Sequence, residues 1–544
     1  MLQNSTCLCL RKSFDVSRPL RIWETPTRIC FRVLTRWKNT RANLNRQRQQ
    51  QRTASRFSRQ TPLCSSEFTD EERTKASVKG NCYGCGQPIQ FDFPDSAGYI
   101  PREQYLIKAR HRQLNTALCH RCVALTHGEM VPGVEDFSLR DAENRPRILL
   151  TPEQLRDQLG GLRKQHTVVV MLVDLLDASG SFLGRVRNLV GKNPVMLIGT
   201  KVDLLPKGTA PEDVEGWLAD TAAHKRLNVI GVKAVSSRTG QGVPAAVAAI
   251  RKERKGRDVY VIGAANVGKS AFVRALLKDM GSMSSMQFDP AAMQIARRAP
   301  TESAMPGTTL SKIPLRCFAS GGSLYDTPGL HIHHRLPHLL TPDELKEIHP
   351  RRRLTAYLAP PVETAPGASE GSATYLWGGL VRIDVVEAPA GTQLAFYGPP
   401  VMKAYALPLL GPEDEIDVCD GSDDEPAGRE GAPGVADEGA DYEEMEGGDE
   451  PLFGVASTKR RGGLRLARTL ELKTTGRIEA VCDLAVSGLA GWVSVVGTNR
   501  RSRSIAIRVF VPPGVEVFMR PPMPVPNPIA QQRRRKKPLA RPSY

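Results

Sequence analysis

Between residues 168 and 270, apolar runs and helix-period segments take turns along the chain. VVVMLVD (168–174) is apolar almost throughout, which predicts a strand buried on both faces. SFLGRVRNLV (181–190) reads as a helix, and PVMLIGTKVD (194–203) as a strand running into a loop. Residues 211–226 predict a helix, NVIGVKAVSS (228–237) a strand, and VPAAVAAIR (243–251) a helix. DVYVIGAANVGKS (258–270) then reads as a strand, a loop and the start of a helix. Strands that each feed a helix build a mostly parallel sheet covered on both faces, so an α/β region is expected here. Upstream, TPEQLRDQLGGLRKQH (151–166) predicts a short helix with Thr151 as N-cap and Pro152 in its first turn.

Residues 281–311 have little periodicity and several Gly, Ser, Met and Pro, and are expected to be mobile. LYDTPGL (324–330) ends another strand. Beyond about residue 345 the segments turn β-rich: TYLWGGLVRIDVVE (374–387), TQLAFYG (392–398), RIEAVCDLAVSGLAGWVSVVG (477–497) and SIAIRVFVPPGVEVFMR (504–520). An acidic stretch, 412–454, interrupts them; its composition cannot bury a core and predicts a disordered insertion.

The chain has 544 residues, room for two or three domains. No apolar run approaches the ~18 residues of a membrane-crossing helix, so none is expected. The net charge of +18 is unevenly spread. Residues 1–66 are Arg-rich with only two acids, Asp15 and Glu24, and lack a long apolar core segment. That make-up predicts an organelle transit peptide rather than a secretory signal; a retained, disordered basic arm is the alternative. The end of the chain, 526–544, is a basic tail with Arg533, Arg534, Arg535, Lys536 and Lys537. A basic total points to a polyanionic partner, nucleic acid being the commonest, although a targeting signal plus a solvated tail gives the same sum.

GAANVGKS (263–270) matches the phosphate-loop pattern and stands between an apolar strand and a helix start. Gly263 and Gly268 let the backbone turn so that its N–H groups, including those of Val267 and its neighbours, face phosphate. Lys269 would bridge the β- and γ-phosphates, and the Ser270 hydroxyl would hold Mg²⁺. DTPG (326–329) follows 57 residues beyond Lys269; Asp326 would reach the Mg²⁺ shell and Gly329 N–H the γ-phosphate. PGTT (306–309) offers Thr309, preferred to Thr308, as the threonine that closes over Mg²⁺.

TKVD (200–203) gives Asp203 as acceptor for guanine N1–H and the exocyclic amine, which adenine cannot satisfy. The Lys201 stem would lie on the base, and Thr200 would brace the loops. SSRTG (236–240), with Ser236 and Ser237, fits the loop whose N–H meets the guanine carbonyl. The base-binding motifs therefore precede the phosphate loop, the reverse of the usual order. This predicts a circularly permuted GTPase in which nucleotide state passes into residues beyond 345. Leu330 stands where many GTPases carry the water-orienting Gln. Asn266 is a candidate ligand for a monovalent cation, K⁺, or a loop-bracing residue.

Cys82-x-x-Cys85 and Cys119-x-x-Cys122 present four thiolates that can meet one tetrahedral Zn²⁺. The 86–118 spacer is expected to protrude as a loop. A redox dithiol, or His120 or His127 as a substitute ligand, are the rivals. Arg102, Lys108, Arg110, Arg112 and Arg121 surround the knuckle and read as phosphate contacts or a solvated face.

The motif order, with NCYGCGQPIQ, LCHRCVALTHGEM, VDLLDASGSF, YLWGGLVRID and DLAVSGLAGW, resembles the YqeH-type circularly permuted GTPases, a family with bacterial, mitochondrial and plastid members, over roughly 82–520. The resemblance implies a zinc-knuckle domain (78–140) and a permuted Ras-like P-loop GTPase domain (150–345). It implies a C-terminal β-rich RNA-binding domain in two pieces (346–411 and 455–525). It further implies GTP, Mg²⁺ and K⁺ as ligands and a GTP-driven role in assembly of an organellar small ribosomal subunit through pre-rRNA. A plastid is favoured over a mitochondrion. An RNA-binding scaffold holding GTP as a ligand, and a GTPase acting on another organelle RNA, remain alternatives. No flavin, haem or nicotinamide motif is present.

Overall fold

The computed structural model describes residues 7–9, 78–127, 159–411, 417–419, 463–497 and 504–529, apart from 95, 184–185, 297–298, 302–307, 331, 333–334, 341 and 363–369. Gly80–Tyr544 belongs to one compact unit; of the separate unit Arg21–Lys79 only Val78 and Lys79 are described. Most of the expected transit peptide, nearly all of the acidic insertion, residues 151–158 of the expected upstream helix and most of the basic tail lie outside the described residues. Within them, Cys7–Cys9 pairs antiparallel with Asp417–Cys419, setting Leu8 opposite Val418. This is a short ribbon inside stretches whose composition predicted no structure.

The cysteine-bearing region holds α1 (Arg102–Arg110) and α2 (His120–Thr126) around a small core of Ile89, Ile100, Tyr105 and the four cysteines. The spacer expected as a protruding loop is thus largely folded. Tyr105 is the apolar anchor of α1, packing edge-on to Phe91 at 5.1 Å.

The central sheet has six strands: β1 (Val168–Asp174), β2 (Val195–Thr200), β3 (Gly231–Ala234), β4 (Val259–Gly263), β5 (Ile313–Leu315) and β6 (Leu324–Asp326). Their spatial order is β3-β2-β1-β4-β6-β5, parallel except for the last pair, β5 and β6. β1 is buried at every position, as its unbroken apolar run requires. The helices α3 (Ala178–Ser181), α4 (Val186–Val190), α5 (Pro211–His224), α6 (Val243–Arg254) and α7 (Lys269–Met280) connect these strands.

Three expectations need correction. The segment 181–190 is not one helix: α3 ends at Ser181 and Phe182 turns extended before α4. Where 151–166 is described it makes only a 3-10 turn, Leu162–Lys164, after Gly160 and Gly161, which disfavour helix. The region 281–311 is not irregular throughout, because α8 (Pro290–Ile295) forms there. Asp289 caps it, accepting from Ala291 N at 3.0 Å, and Pro290 starts it. That N-cap and first-turn proline signal was present in the sequence.

α9 (Pro342–Ile348) leads into the β-rich part. Its strands are β7 (Ala356–Leu358), β8 (Glu370–Trp377), β9 (Val381–Pro389), β10 (Gln393–Tyr397) and β11 (Ala404–Leu407). After the acidic stretch come β12 (Arg465–Lys473), β13 (Ala480–Val486), β14 (Trp492–Val496), β15 (Ser504–Val511) and β16 (Val517–Arg520). They form two antiparallel five-stranded sheets, ordered β11-β8-β9-β15-β12 and β16-β13-β14-β10-β7. Alternation along the second sheet decides how the molecule is assembled. Leu394, Phe396, Leu484, Val493 and Val495 enter a core shared with the first sheet. Their neighbours Ala395, Tyr397, Ala485, Trp492 and Val496 face the other way and join the core of the six-stranded sheet. Tyr397 and Trp492 stack there at 4.7 Å. Trp217 of α5 donates its indole N–H to Pro521 O at 3.1 Å across the same junction.

Candidate nucleotide site and cysteine cluster

Because β1, β2, β3, β4 and β6 are parallel, their C-terminal ends lie along one edge of the sheet, where open α/β sheets bind ligands. The Thr200–Asp203, Ser236–Gly240, Gly263–Ser270 and Asp326–Gly329 motifs follow strands that end on that edge. The phosphate loop leaves β4 at Gly263, where an added Cβ would lie 2.9 Å from both Leu172 O and Val267 Cγ2. Asn266 and Gly268 take left-handed φ values of 62° and 88° before α7 begins at Lys269. Asparagine and glycine tolerate that conformation best.

Lys269 is buried and its Nζ donates to Ala264 O at 2.7 Å. Burial pulls its pKa down to about 8, and the Asp326 carboxylate only partly offsets this. An amine held in the loop at such a cost is poised to accept a phosphate anion. Gly329 is pressed against the same loop: a Cβ there would lie 2.8 Å from Ala265 Cα and 3.0 Å from Lys269 Nζ.

Ser270, Thr309 and Asp326 converge, although 39 and 56 residues of chain separate Ser270 from the other two. Ser270 Oγ donates to Asp326 Oδ2 at 2.9 Å and lies 3.2 Å from Thr309 Oγ1, which is itself 3.4 Å from Asp326 Oδ2. Asp326 Oδ1 is buried and has no hydrogen-bond partner among the described residues. An orphaned carboxylate oxygen beside two hydroxyls is a donor set that suits hydrated Mg²⁺. Burial raises the Asp326 pKa to about 6 against the pull of Lys269, Ser270 and Thr309.

The sign of the resulting pH dependence is fixed. Mg²⁺ takes only the ionised carboxylate, so its binding must displace any proton, and affinity falls as pH drops through about 6. Between pH 7 and pH 5, Mg²⁺ affinity in the nucleotide complex is expected to fall roughly tenfold, and Asp326→Asn should remove that component. Calorimetric titration of Mg²⁺ into both proteins, each with saturating GTP, reads the difference. A slope equal in both would take Asp326 out of the metal shell.

At the base end, Thr200 Oγ1 donates to Val267 O at 2.7 Å and lies 3.2 Å from Val173 O, bracing the phosphate loop against β1. Lys201, at φ 65°, pairs with Asp174 Oδ2 at 2.5 Å. Sequence reading missed Asp174, although an acid at the end of a buried strand is itself a signal. Asp203 is buried and lies 3.3 Å from Arg238 Nε of the Ser236–Gly240 loop. In that loop Thr239 N donates to Ser236 Oγ at 3.1 Å, and Ser237 follows Ser236 along the turn.

The residues after Gly329 do not leave the sheet directly. Leu330 N donates to Gly263 O and Ala265 N to Leu330 O, at 3.1 and 2.8 Å, so Leu330 bridges back to the phosphate loop. Arg335 then donates to Ala265 O at 3.2 Å and to Asp177 Oδ2 at 2.7 Å. Asp177 Oδ2 also accepts from Gly488 N at 3.0 Å, and Leu336 N donates to Ser487 O at 2.8 Å. The phosphate loop is thereby joined to the β13–β14 turn through two buried side chains, Arg335 and Asp177. Sequence reading did not single out Arg335 or Asp177.

The sulfurs of Cys82, Cys85, Cys119 and Cys122 all lie within 4.8 Å of one another and are buried. His120 and His127 are not in the cluster. A tetrahedral ion with metal–sulfur bonds of about 2.3 Å needs sulfurs roughly 3.8 Å apart. The Cys85–Cys119 distance is 3.8 Å, so the four residues fit one ion such as zinc. Cys119 N donates to Cys82 Sγ at 3.2 Å, a bond that favours a thiolate. Arg121 is buried in α2, which removes it from any phosphate-facing surface. Arg110 and Arg112 are exposed.

Residues 258–356 match a family described as 50S ribosome-binding GTPase. NO-associated protein 1, chloroplastic/mitochondrial, of Arabidopsis thaliana is 37% identical over 467 residues, 82% of this chain and 76% of its own length. YqeH of Bacillus subtilis is 27% identical over 439 residues, 81% of this chain and 98% of its own length. Nitric oxide-associated protein 1 of Homo sapiens is 29% identical over 273 residues, 43% of this chain and 36% of its own length. With its GTPase domain and cysteine cluster, the chain belongs to the family of NO-associated protein 1 and YqeH, and is a GTP-binding protein.

Proposed function

We propose that the protein is a GTP-hydrolysing switch that acts in assembly of an organellar small ribosomal subunit through pre-rRNA, and that its GTPase domain is circularly permuted. The observation that carries the switch reading is the meeting of Ser270, Thr309 and Asp326 around an unpaired buried carboxylate oxygen. Lys269 holds the phosphates, Asp203 reads guanine, and Gly329 N–H senses the γ-phosphate. Bound Mg²⁺ would neutralise charge on the phosphates, while Asp326, Ser270 and Thr309 orient its shell. The four cysteines hold a structural zinc ion with no open position. The strand order β3-β2-β1-β4-β6-β5 supports the permutation: joining the two ends of the 150–345 region would bring β1 in after Asp326-Thr-Pro-Gly329 and restore the usual motif order.

The network from Ala265 through Arg335 and Asp177 to Gly488 supports transmission of nucleotide state into the β-rich part. Leu330 cannot orient a water, so Asn266 and a bound K⁺, or the partner, supply what is missing. An organelle is supported by the chloroplastic/mitochondrial name of the Arabidopsis relative, and a plastid is the reading we carry forward. The matched family is named for the 50S subunit, so the partner subunit is what the test must resolve.

The test is GTP turnover by the chain without residues 1–66, in K⁺ and in Na⁺, with and without organellar small or large subunits. Stimulation by K⁺ and by small subunits is the expected result. Stimulation by large subunits alone would move the partner. Turnover indifferent to every addition would leave GTP hydrolysis standing and point to a different partner and another catalytic arrangement; normal assembly by a hydrolysis-dead, GTP-bound protein would favour the scaffold that holds GTP as a ligand.

A further inference from the structure

The cysteine knuckle and the nucleotide site meet through one short piece of chain. The Cys82–Cys85 turn is closed by Gly86 N donating to Cys82 O at 2.8 Å and Cys82 N to Gln87 O at 2.9 Å. On its outer side, Cys85 O accepts from both Leu310 N and Ser311 N, at 2.9 and 3.1 Å. Gln87 Nε2 donates to Ser311 Oγ at 3.1 Å, and Gly84 O accepts from Thr301 N at 3.4 Å. The approach leaves no room for side chains: a Cβ on Gly84 would lie 2.3 Å from Thr301 Oγ1, and one on Gly86 2.8 Å from Ser311 O. The knuckle therefore holds Thr301 and, separately, Leu310 and Ser311, which directly follow the Thr309 that meets Ser270 and Asp326.

Resting on the GTP-switch reading above, we propose that the cysteine knuckle is the element that positions Thr309, so that metal occupancy at the four cysteines and the GTP state of the switch are thermodynamically linked. One peptide unit, about 3.8 Å between Cα atoms, separates Thr309 from Leu310, so the threonine cannot leave the Mg²⁺ shell without pulling on the Cys85 carbonyl. Conversely, the turn that presents that carbonyl is held by its own cysteines only when they share an ion. Without one, the turn keeps its two backbone hydrogen bonds and the Cys119 N–H bond to Cys82 Sγ but loses the tie between the two cysteine pairs, and it opens more readily. Linkage is reciprocal: if metal favours the closed threonine, the GTP state must tighten the metal.

The experiment measures Zn²⁺ affinity of the full chain by competition with a chelator of known strength, with Mg²⁺ and either a non-hydrolysable GTP analogue or GDP. Affinity is expected to be about 5–100-fold tighter with the GTP analogue. Ser311→Pro keeps all four cysteines, removes one N–H that Cys85 O accepts, and should erase most of that factor while zinc content stays the same. Equal zinc affinities in the two nucleotide states, with both nucleotides bound, would overturn the link and leave the GTP reading standing. A factor unchanged in a folded Ser311→Pro protein would overturn this route. Failure of either nucleotide to bind would overturn the GTP reading and the link with it.

Discussion

Asparagine in place of Asp203 is expected to weaken GTP binding by about 100- to 1,000-fold and to create affinity for xanthosine triphosphate. The carboxylate would accept two hydrogen bonds from guanine; an amide there offers a donor where the base also has a donor. Xanthine carries a carbonyl at that position, so the amide donor is satisfied again. The variant should fold normally. Asp203 pairs with Arg238 at 3.3 Å, but the Arg238 side chain is 67% exposed, and such pairs contribute little stability. Titration with fluorescent GTP and xanthosine triphosphate checks both halves. Unchanged GTP affinity would remove Asp203 from the base site.

Lys269→Ala should be the more damaging change. The amine is buried, and truncating one partner of a buried, hydrogen-bonded charge pair costs about 2–5 kcal/mol, or roughly 30- to 4,000-fold in GTP affinity. A second loss follows, because Lys269 is the strongest group opposing the burial that raises Asp326 towards neutrality. Without the amine that carboxylate becomes harder to ionise and the Mg²⁺ shell weakens in turn. Turnover should be undetectable under conditions where the parent protein is active. Nucleotide binding within threefold of the parent would show that Lys269 does not hold the phosphates.

The legible part of this molecule was what chemistry writes locally. The phosphate loop, Asp326, Asp203 and the cysteine pairs are each short, and each was placed by neighbours a few residues away. β1 was legible because a strand buried on both faces has nothing polar to interrupt it. Contacts that depend on distant partners were not legible. Arg335 and Asp177 are 158 residues apart, and nothing near either one points to the other. The grip of Cys85 O on Leu310 and Ser311 runs through backbone groups, which carry no residue identity at all. Thr200 lies between these cases. Its bracing role is legible from its place in the Thr200–Asp203 motif, and its hydroxyl reaches Val267 O, an acceptor that sequence spacing does not name. The break between α3 and α4 lies at Phe182, which turns extended, and α8 is set by its Asp289 cap and Pro290, signals that the spacing of apolar residues does not carry.

The two-faced sheet formed by β16, β13, β14, β10 and β7 has a consequence for how the chain must be made. All six strands of the central sheet have been synthesised once the chain passes Asp326, yet that sheet's core includes Tyr397, Trp492 and Met523. At about 5–20 residues per second, roughly 10–40 s separate the last central strand from Met523. During that interval the growing chain carries an apolar face awaiting its cover, and nothing synthesised by then can supply it. A nascent chain in this state is a client for chaperones, and its period of vulnerability is set by the length of the β-rich half rather than by the sheet left exposed.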